Sequence, residues 1–118
     1  MIKILQPDFV HEDHRGRLVQ LVHKGYSQVN VITSKAGVVR GGHFHKQNRE
    51  LFFVINGSFR VRVRKDGKEK EYSFTCGDMF MIPEQVSHDF IYDENTVLVS
   101  MYTKGVQMND GSMDIYEG

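Results

Sequence analysis

The stretch that decides the fold runs from Gly37 to Gly57 and reads Gly-Val-Val-Arg-Gly-Gly-His-Phe-His-Lys-Gln-Asn-Arg-Glu-Leu-Phe-Phe-Val-Ile-Asn-Gly. His43 and His45 are two positions apart, so on a β-strand their side chains lie on the same face. Four residues separate His45 from Glu50, which is enough for the chain to turn before the apolar run over Leu51–Ile55. Two imidazoles and one carboxylate are therefore expected to converge from neighbouring strands.

A second segment, Gly77 to His88, supplies a fourth candidate. A glycine–aspartate turn leads into a predicted buried strand over Met79–Ile82, and Pro83 ends that strand because proline has no N–H to donate to a sheet. His88 then begins the next strand-like run. Three imidazoles and one carboxylate form a donor set that suits a divalent transition metal such as zinc, iron, manganese or nickel. The candidate metal ligands are His43, His45, Glu50 and His88.

The rest of the chain has the pattern of short strands. Phe59, Val61 and Val63 alternate with arginines, which is the period-two pattern of a strand with one solvated face. The Asp66-Gly67 dipeptide predicts a hairpin tip, because both residue types readily take positive φ. Short β-rich runs separated by such turns predict an all-β sandwich or barrel.

Size and composition limit the classes of function. The chain has 118 residues, which fits one domain over 1–118, with a core at about 15–104 and a loosely packed tail or edge segment at 105–118. Its 15 basic and 15 acidic residues balance, so it has no global attraction to nucleic acid or to an anionic membrane. No apolar run approaches the ~20 residues that span a bilayer. The lone cysteine, Cys76, cannot form an internal disulfide and is expected to be buried. Because neither a disulfide nor a membrane span is predicted, we expect a soluble cytoplasmic protein.

The two segments resemble the two sequence motifs of the cupin superfamily. The first matches at each fixed position: glycine, five residues, His-x-His, four residues, glutamate, six residues and glycine. The second has the glycine, the proline and the histidine at the expected spacing, and departs at Gln85 and Tyr92, which are not metal-ligand positions in the family. The resemblance implies an all-β, single-domain cupin, a double-stranded β-helix or jelly-roll barrel, with a metal on the four candidate ligands. Cupins of this size often pair, so it also implies a homodimer.

Two shorter stretches resemble cupins that act on nucleotide-linked sugars. Residues 13–18, Asp-His-Arg-Gly-Arg-Leu, are similar to their Asp-x-Arg-Gly-x-Leu, and residues 40–46, Arg-Gly-Gly-His-Phe-His-Lys, to their Arg-Gly-x-His-x-His-Lys. The similarity is to the 3,4-ketoisomerases of dTDP-4-keto-6-deoxyhexoses and to related polysaccharide-biosynthesis cupins, with the dTDP-sugar 3,5-epimerases more distant. It implies a nucleotide-sugar substrate and an isomerase or epimerase that moves a proton next to a ketone.

The same resemblance implies roles for individual residues. His43 or His45 would be the acid–base group, because imidazole titrates near neutral pH. Arg40 would hold a diphosphate or a sugar oxygen. An imidazole nitrogen bound to a metal cannot also take up a proton. If both histidines bind an ion, the ion would polarise the ketone, and Tyr102 or His14 would be the base.

Two departures from the ketoisomerases keep other functions open. Those enzymes usually have aromatic residues in the strand before the Arg-Gly loop, whereas Val29–Ile32 contains no tyrosine. Glu50 also completes a metal-ligand set that the ketoisomerase pattern need not keep. The alternatives are a metal-dependent cupin of other chemistry, such as a small dioxygenase, and a non-catalytic sugar-binding module.

Overall fold

The computed structural model describes all residues from 1 to 118 and contains strands, turns and loops. The twelve strands are β1 (Lys3–Leu5), β2 (Phe9–Asp13), β3 (Gly16–Gln20), β4 (Gln28–Ser34), β5 (Val39–Phe44), β6 (Glu50–Asn56), β7 (Ser58–Lys65), β8 (Lys68–Thr75), β9 (Met79–Ile82), β10 (Ser87–Tyr92), β11 (Thr96–Tyr102) and β12 (Tyr116–Glu117). There is no helix of the length and apolar character needed to cross a membrane.

Two five-stranded sheets carry most of the chain. The first has the strand order β1-β9-β6-β11-β4 and the second the order β12-β5-β10-β7-β8, while β2 and β3 form a separate hairpin. Every pairing is antiparallel. The predicted all-β fold is therefore confirmed.

The core lies between the two sheets. Phe52 and Phe80 come from the first sheet, and Phe59 and Phe90 come from the second. Phe80 is fully buried and stacks on Phe74 of the second sheet, with ring centroids 3.9 Å apart. Burial of these large rings supplies much of the hydrophobic free energy that holds the sheets together. Phe52 and Phe90 also border the cavity described below, so the core forms one wall of the site.

Several local predictions agree with the structure. The strand predicted over Met79–Ile82 has those bounds, and it ends just before Pro83. The Asp66-Gly67 tip joins β7 to β8, with φ of 52° at Asp66 and 75° at Gly67. The arginines that alternate with Phe59, Val61 and Val63 pair with carboxylates on the outer face of the second sheet.

Other features differ from expectation. Cys76 is exposed in the turn that follows β8, so the prediction that it is buried was wrong. Strand β1 lies before the expected core range and pairs with β9 at the edge of the first sheet. Residues 105–118 include the edge strand β12, and they also contain Asp114, whose side chain is buried.

Candidate functional site

Strands β5 and β10 bring His43 and His88 together as directly opposed residues. Their Nε2 atoms lie 3.2 Å apart, and their ring centroids are separated by 4.6 Å. Gly41 permits this close pairing, because a Cβ at that position would lie 2.4 Å from the carbonyl oxygen of His88. Its φ of +135° also favours glycine over other residues. The Arg-Gly-Gly sequence thus lets β5 approach β10 just before the histidine pair.

His45 and Glu50 complete the cluster from the two ends of the loop that joins β5 to β6. His45 follows β5 directly and is 3% exposed, and Glu50 begins β6 and is 4% exposed. The Nε2 atom of His45 lies 3.2 Å from Oε1 of Glu50, and the Nε2 atom of His88 lies 3.8 Å from the same oxygen. The Ser100 hydroxyl donates to Oε2 of Glu50 at 2.7 Å. The structure therefore places all four candidate ligands together.

Backbone carbonyls hold the outer nitrogens of two rings. Nδ1 of His45 donates to the carbonyl of Asp114 at 2.7 Å, and Nδ1 of His88 donates to the carbonyl of Val86 at 3.2 Å. When such a ring is neutral, the lone pair of its Nε2 points toward the cluster. Glu50 adds a carboxylate at the same place. Because the converging atoms are mainly acceptors, the cluster favours a cation, whether a proton or a metal ion.

Burial and charge set the protonation of the cluster. Burial lowers the pKa of His88 to about 4 and also lowers the pKa of His43, so both rings are mainly neutral at pH 7. Burial opposes the charged form of His45 too, but its hydrogen bonds with Glu50 and Asp114 outweigh that effect and raise its pKa. Burial likewise opposes the charged form of Glu50, but the His45 contact outweighs it and lowers the pKa of that carboxyl. These directions favour the charged forms of both His45 and Glu50, which contact each other through Nε2 and Oε1.

The donor set fits a divalent transition ion. The ligating nitrogens of His43, His45 and His88 all lie within 4.8 Å of one another. Nitrogens bonded to one ion at about 2.0–2.1 Å are themselves separated by about 3 Å, close to the spacing of the His43–His88 pair. The carbonyl partners at Nδ1 are also of the kind that orient histidine ligands in metal sites. These three histidines and Glu50 are the residues that could hold an ion.

The cluster opens onto one cavity. His43, Glu50 and His88 line a cavity of about 170 Å³ between the sheets. The other lining residues are Ile32, Arg40, Gly41, Phe52, Phe90, Tyr92 and Tyr102. His45 does not line this cavity, because it lies behind the cluster beneath Asp114. A molecule in the cavity would thus meet the ring of His43 and not that of His45.

The two alternative bases differ in position and in chemistry. Tyr102 is paired with Glu50 across β11 and β6, and its ring centroid lies 5.1 Å from that of His45. Burial and the negative charge of Glu50 raise the pKa of Tyr102, so its phenol keeps its proton at neutral pH. His14 is exposed at the tip of the β2–β3 hairpin and does not line the cavity.

Arg40 lies where the cavity meets a second groove. Its side chain is exposed, and Nη2 donates to the carbonyl of Thr33 at 3.2 Å. Arg40 and Lys35 both line a neighbouring groove of about 540 Å³. Two cationic side chains at one groove suit an anionic group of a ligand.

Two buried polar residues of the site were not predicted from the sequence. Asp114 lies in the segment expected to be peripheral, and no motif includes it. Ser100 lies within an apolar strand, where a lone serine has no spacing that would connect it with Glu50. Both contacts depend on tertiary pairing, so residue types alone give no signal for them.

Two curated proteins match parts of the sequence. Over 56 residues, 47% of this chain, it is 39% identical to a UDP-2-acetamido-2,6-β-L-arabino-hexul-4-ose reductase of Pseudomonas aeruginosa, and the match covers 15% of that protein. Over 72 residues, 61% of this chain, it is 28% identical to a 3-hydroxyanthranilate 3,4-dioxygenase of Danio rerio, with 25% of that protein covered. The chain thus matches only a small part of the length of either protein.

Solved structures share the fold. The 3,4-ketoisomerase QdtA from Thermoanaerobacterium thermosaccharolyticum, in complex with TDP-4-keto-6-deoxyglucose, superposes with a TM-score of 0.79 at 19% identity, covering 99% of this chain and 87% of that chain. A dTDP-4-dehydrorhamnose 3,5-epimerase from Sulfolobus tokodaii gives 0.71 at 26% identity, covering 86% of this chain and 69% of that chain. The predicted cupin jelly-roll fold and the resemblance to this group are confirmed.

A protein-family model matches a longer part of the sequence than either curated protein does. Residues 11–112 match the model described as the polysaccharide biosynthesis C-terminal domain. This range is most of the chain and includes all four candidate ligands. The chain therefore belongs to the polysaccharide biosynthesis C-terminal domain family.

Proposed function

We propose that this chain catalyses proton transfer at the carbon next to the ketone of a nucleotide-linked 4-keto-6-deoxy sugar, as an isomerase or an epimerase. The observation that carries the proposal is the shared cavity wall of His43, His88 and Arg40. A neutral imidazole accepts a proton at neutral pH, and a guanidinium binds phosphate oxygens. The ketoisomerase and epimerase structures of the same fold support this class of substrate.

His43 is the proposed base, because it lines the cavity while His45 lies behind it. The ketone at carbon 4 acidifies the proton at carbon 3, and His43 removes that proton to leave an enediolate. Return of a proton at carbon 4, with transfer of the carbon 3 hydroxyl proton to the oxygen on carbon 4, moves the ketone to carbon 3. Return of a proton at carbon 3 from the opposite face instead gives an epimer. Tyr102 lines the same cavity and is the proposed proton donor, and the proton that His43 has removed then passes to the Tyr102 oxygen, which resets both groups.

Arg40 is the proposed contact to the diphosphate. It lies between the small cavity and the larger groove, and Lys35 adds a second positive charge to that groove. A sugar ring in the cavity with its diphosphate at the groove places the two chemical parts of such a substrate beside matching groups. The cavity alone is smaller than the sites that usually enclose a complete ligand of this size.

A divalent transition ion is a further proposal for the same cluster. His43, His45, Glu50 and His88 would hold it through the atoms that already converge. When bound, such an ion supplies a positive charge that polarises a ketone oxygen. The metal content therefore decides whether the His43 nitrogen serves as a ligand or as the base.

Isotope exchange tests the enzyme proposal. The protein is incubated with TDP-4-keto-6-deoxyglucose, and separately with a UDP-linked 4-keto sugar, in deuterated water, and the sugars are followed by NMR. We expect deuterium at carbon 3 or carbon 4 together with a new keto sugar. Tight binding without exchange would instead establish a non-catalytic sugar-binding module. Neither binding nor exchange with either nucleotide would remove the proposal.

A second candidate is a metal-dependent oxygenase. The four convergent donors favour it, as does the partial match to a 3-hydroxyanthranilate 3,4-dioxygenase. Elemental analysis combined with oxygen consumption tests it, using protein loaded with ferrous iron and an aromatic substrate. Bound iron with oxygen uptake would support this candidate. Protein that is purified without iron and stays inert after iron is added would exclude it.

We also propose that the chain forms a homodimer. Val29 and Val31 lie on one face of the edge strand β4 and are 62% and 67% exposed. Phe9 and Leu18 of the β2–β3 hairpin are exposed as well. Exposed apolar side chains that share one face of an edge strand, as Val29 and Val31 do, can mark an interaction surface. Sedimentation equilibrium should give twice the chain mass, and a Val31→Glu variant should give the mass of one chain.

The cytoplasmic location expected from the sequence stays a prediction.

A further inference from the structure

We propose that Asp114 is a positioning residue for His45, and hence that the C-terminal segment contributes this one residue to the working site. This inference rests on the proposed function of the histidine cluster. Asp114 is 1% exposed, and it lies outside both motifs that indicate the site. Each end of this residue, the carbonyl and the carboxylate, contacts the segment that carries His45.

The carbonyl of Asp114 sets the orientation of the His45 ring. It accepts the Nδ1 proton of His45 at 2.7 Å, at the end of the ring opposite Glu50. A ring held at Nδ1 in this way directs Nε2 toward Oε1 of Glu50. Without that acceptor, the ring could rotate about its side-chain bonds, and Nε2 would no longer be held at the cluster.

The carboxylate of Asp114 holds the loop that follows His45. Oδ1 accepts the backbone N–H of Lys46 at 2.9 Å, and Oδ2 accepts the backbone N–H of Gln47 at 2.9 Å and the side-chain amide of Asn48 at 2.8 Å. Three hydrogen-bond donors thus stabilise the buried carboxylate. The ring and the following loop are therefore fixed by the same residue.

Asn48 connects this contact to the beginning of the C-terminal segment. It is fully buried, and its oxygen accepts the backbone N–H groups of Lys104 at 2.8 Å and Gly105 at 3.0 Å. The backbone N–H of Asp114 in turn donates to the carbonyl of Val106 at 2.7 Å. The position of Asp114 is thus determined by the loop after β11 as well as by the loop after β5.

Aspartate suits this position better than its amide analogue. Both carboxylate oxygens accept N–H groups, so an asparagine would turn its NH₂ group toward at least one of these donors. The Asp114→Asn substitution therefore changes the contact while nearly preserving side-chain volume. Asp110 gives a matched control in the same segment, because its exposed carboxylate accepts hydrogen bonds from Ser112 alone.

NMR of protein labelled with ¹⁵N-histidine tests the positioning directly. In the wild type we expect a slowly exchanging Nδ1–H proton at His45, assigned with a His45→Asn variant. Asp114→Asn should abolish its protection, whereas Asp110→Asn should retain it. The Nδ1–H signal of His88, which donates to Val86, should persist in both variants and shows that the barrel remains folded. A wild type without a protected Nδ1–H at His45, or a folded Asp114→Asn protein that keeps this protection, would overturn the proposal.

Cobalt affinity and sugar exchange connect the positioning to function. Removing a partner that orients a site histidine typically costs about 10- to 100-fold in metal affinity or activity. We expect Asp114→Asn to lower Co²⁺ affinity, read from the visible spectrum, or the rate of deuterium exchange into the keto sugar by that factor. The Asp110→Asn protein should match the wild type. If the Nδ1–H signal is lost but the Co²⁺ affinity and the rate of deuterium exchange both stay within two-fold of the wild type, the proposal is overturned. If the wild type neither binds cobalt nor exchanges, the proposed function fails, and the NMR result still reports on the positioning.

Discussion

The Nε2 atoms of His43 and His88 lie 3.2 Å apart, although 45 positions separate the two residues in the chain. The register of β5 against β10 produces this contact, because the two residues are directly opposed in the sheet. The site is therefore built on paired strands, which hold side chains more precisely than loops do. Any change that moves β5 away from β10 should weaken the fold and the site together.

Gly41→Ala should reveal this dependence. The new Cβ would meet the backbone of His88 and Asp89 at 2.4 Å and 2.7 Å, so the strands must separate. We expect a loss of about 3 kcal/mol or more in the free energy of unfolding, from overpacking combined with backbone strain. Urea denaturation measures it. Gly25→Ala is the control, because that glycine also has positive φ but nothing lies near its Cβ position. Equal losses for the two variants would contradict a close approach at Gly41.

Burial of His88 should make the metal-free protein less stable in mild acid. Its pKa is about 4 in the fold against 6.5 for the free side chain, so only the unfolded chain takes up the proton between those values. Stability should therefore fall as the pH drops from 6.5 to 4, by up to about 3 kcal/mol for this group. His45, whose pKa is raised, acts in the opposite direction.

A His88→Gln variant separates the contribution of His88 to the pH dependence of stability from that of His45. Urea unfolding at pH 7 and at pH 5, with a chelator present, gives the change in stability for each protein. The wild type should lose more stability than the variant between these pH values. A variant with the same loss as the wild type would show that His88 is not buried in its neutral form.

Arg40→Gln should weaken substrate binding more than turnover. A charge-assisted hydrogen bond to phosphate contributes about 1.5–3 kcal/mol, which corresponds to a rise in KM of roughly 10- to 100-fold. Steady-state kinetics at two salt concentrations measures KM and kcat. Arg62→Gln is the control, because Arg62 pairs with Glu71 on the outer face of the second sheet. An unchanged KM in Arg40→Gln would remove Arg40 from the diphosphate site.

Tyr102→Phe should separate proton removal from proton return. The ring packing beside His45 stays, while the hydroxyl that would donate the proton is lost. We expect product formation to fall about 100-fold or more, with deuterium exchange at carbon 3 less affected. Tyr92→Phe, at another buried tyrosine of the cavity, serves as the control. A Tyr102→Phe enzyme with normal product formation would assign the donor role to another group.

The sequence predicted the parts of the site that local spacing controls. The His-x-His spacing places His43 and His45 on one face of the chain, and Glu50 opens the next strand, so their convergence follows from local geometry. His88 was found through its distance from Pro83 in a recognised motif. The strand bounds near these motifs were also close, because turn residues and Pro83 limit where a strand can extend.

Other properties of the site depend on packing that the sequence does not encode locally. His43 and His45 are equivalent in the motif, but only His43 lines the cavity, while the His45 ring is buried and bonded to the carbonyl of Asp114. The contact of Asp114 with His45 spans 69 positions and depends on the C-terminal segment returning to the loop after β5. Cys76 was expected to be buried as a small apolar residue, but its turn leaves it in solvent.

The proposed role of His43 is to move a proton of a keto-sugar substrate within this cavity. The most direct measurement is the initial rate of deuterium uptake at carbon 3 of TDP-4-keto-6-deoxyglucose, compared between chelator-treated wild type and a His43→Asn variant at equal substrate occupancy. We expect uptake by the wild type and a rate at least about 100-fold lower in the variant, since a positioned acid–base group contributes that much. Equal uptake by the two proteins, or a saturated wild type that exchanges no proton, would contradict it.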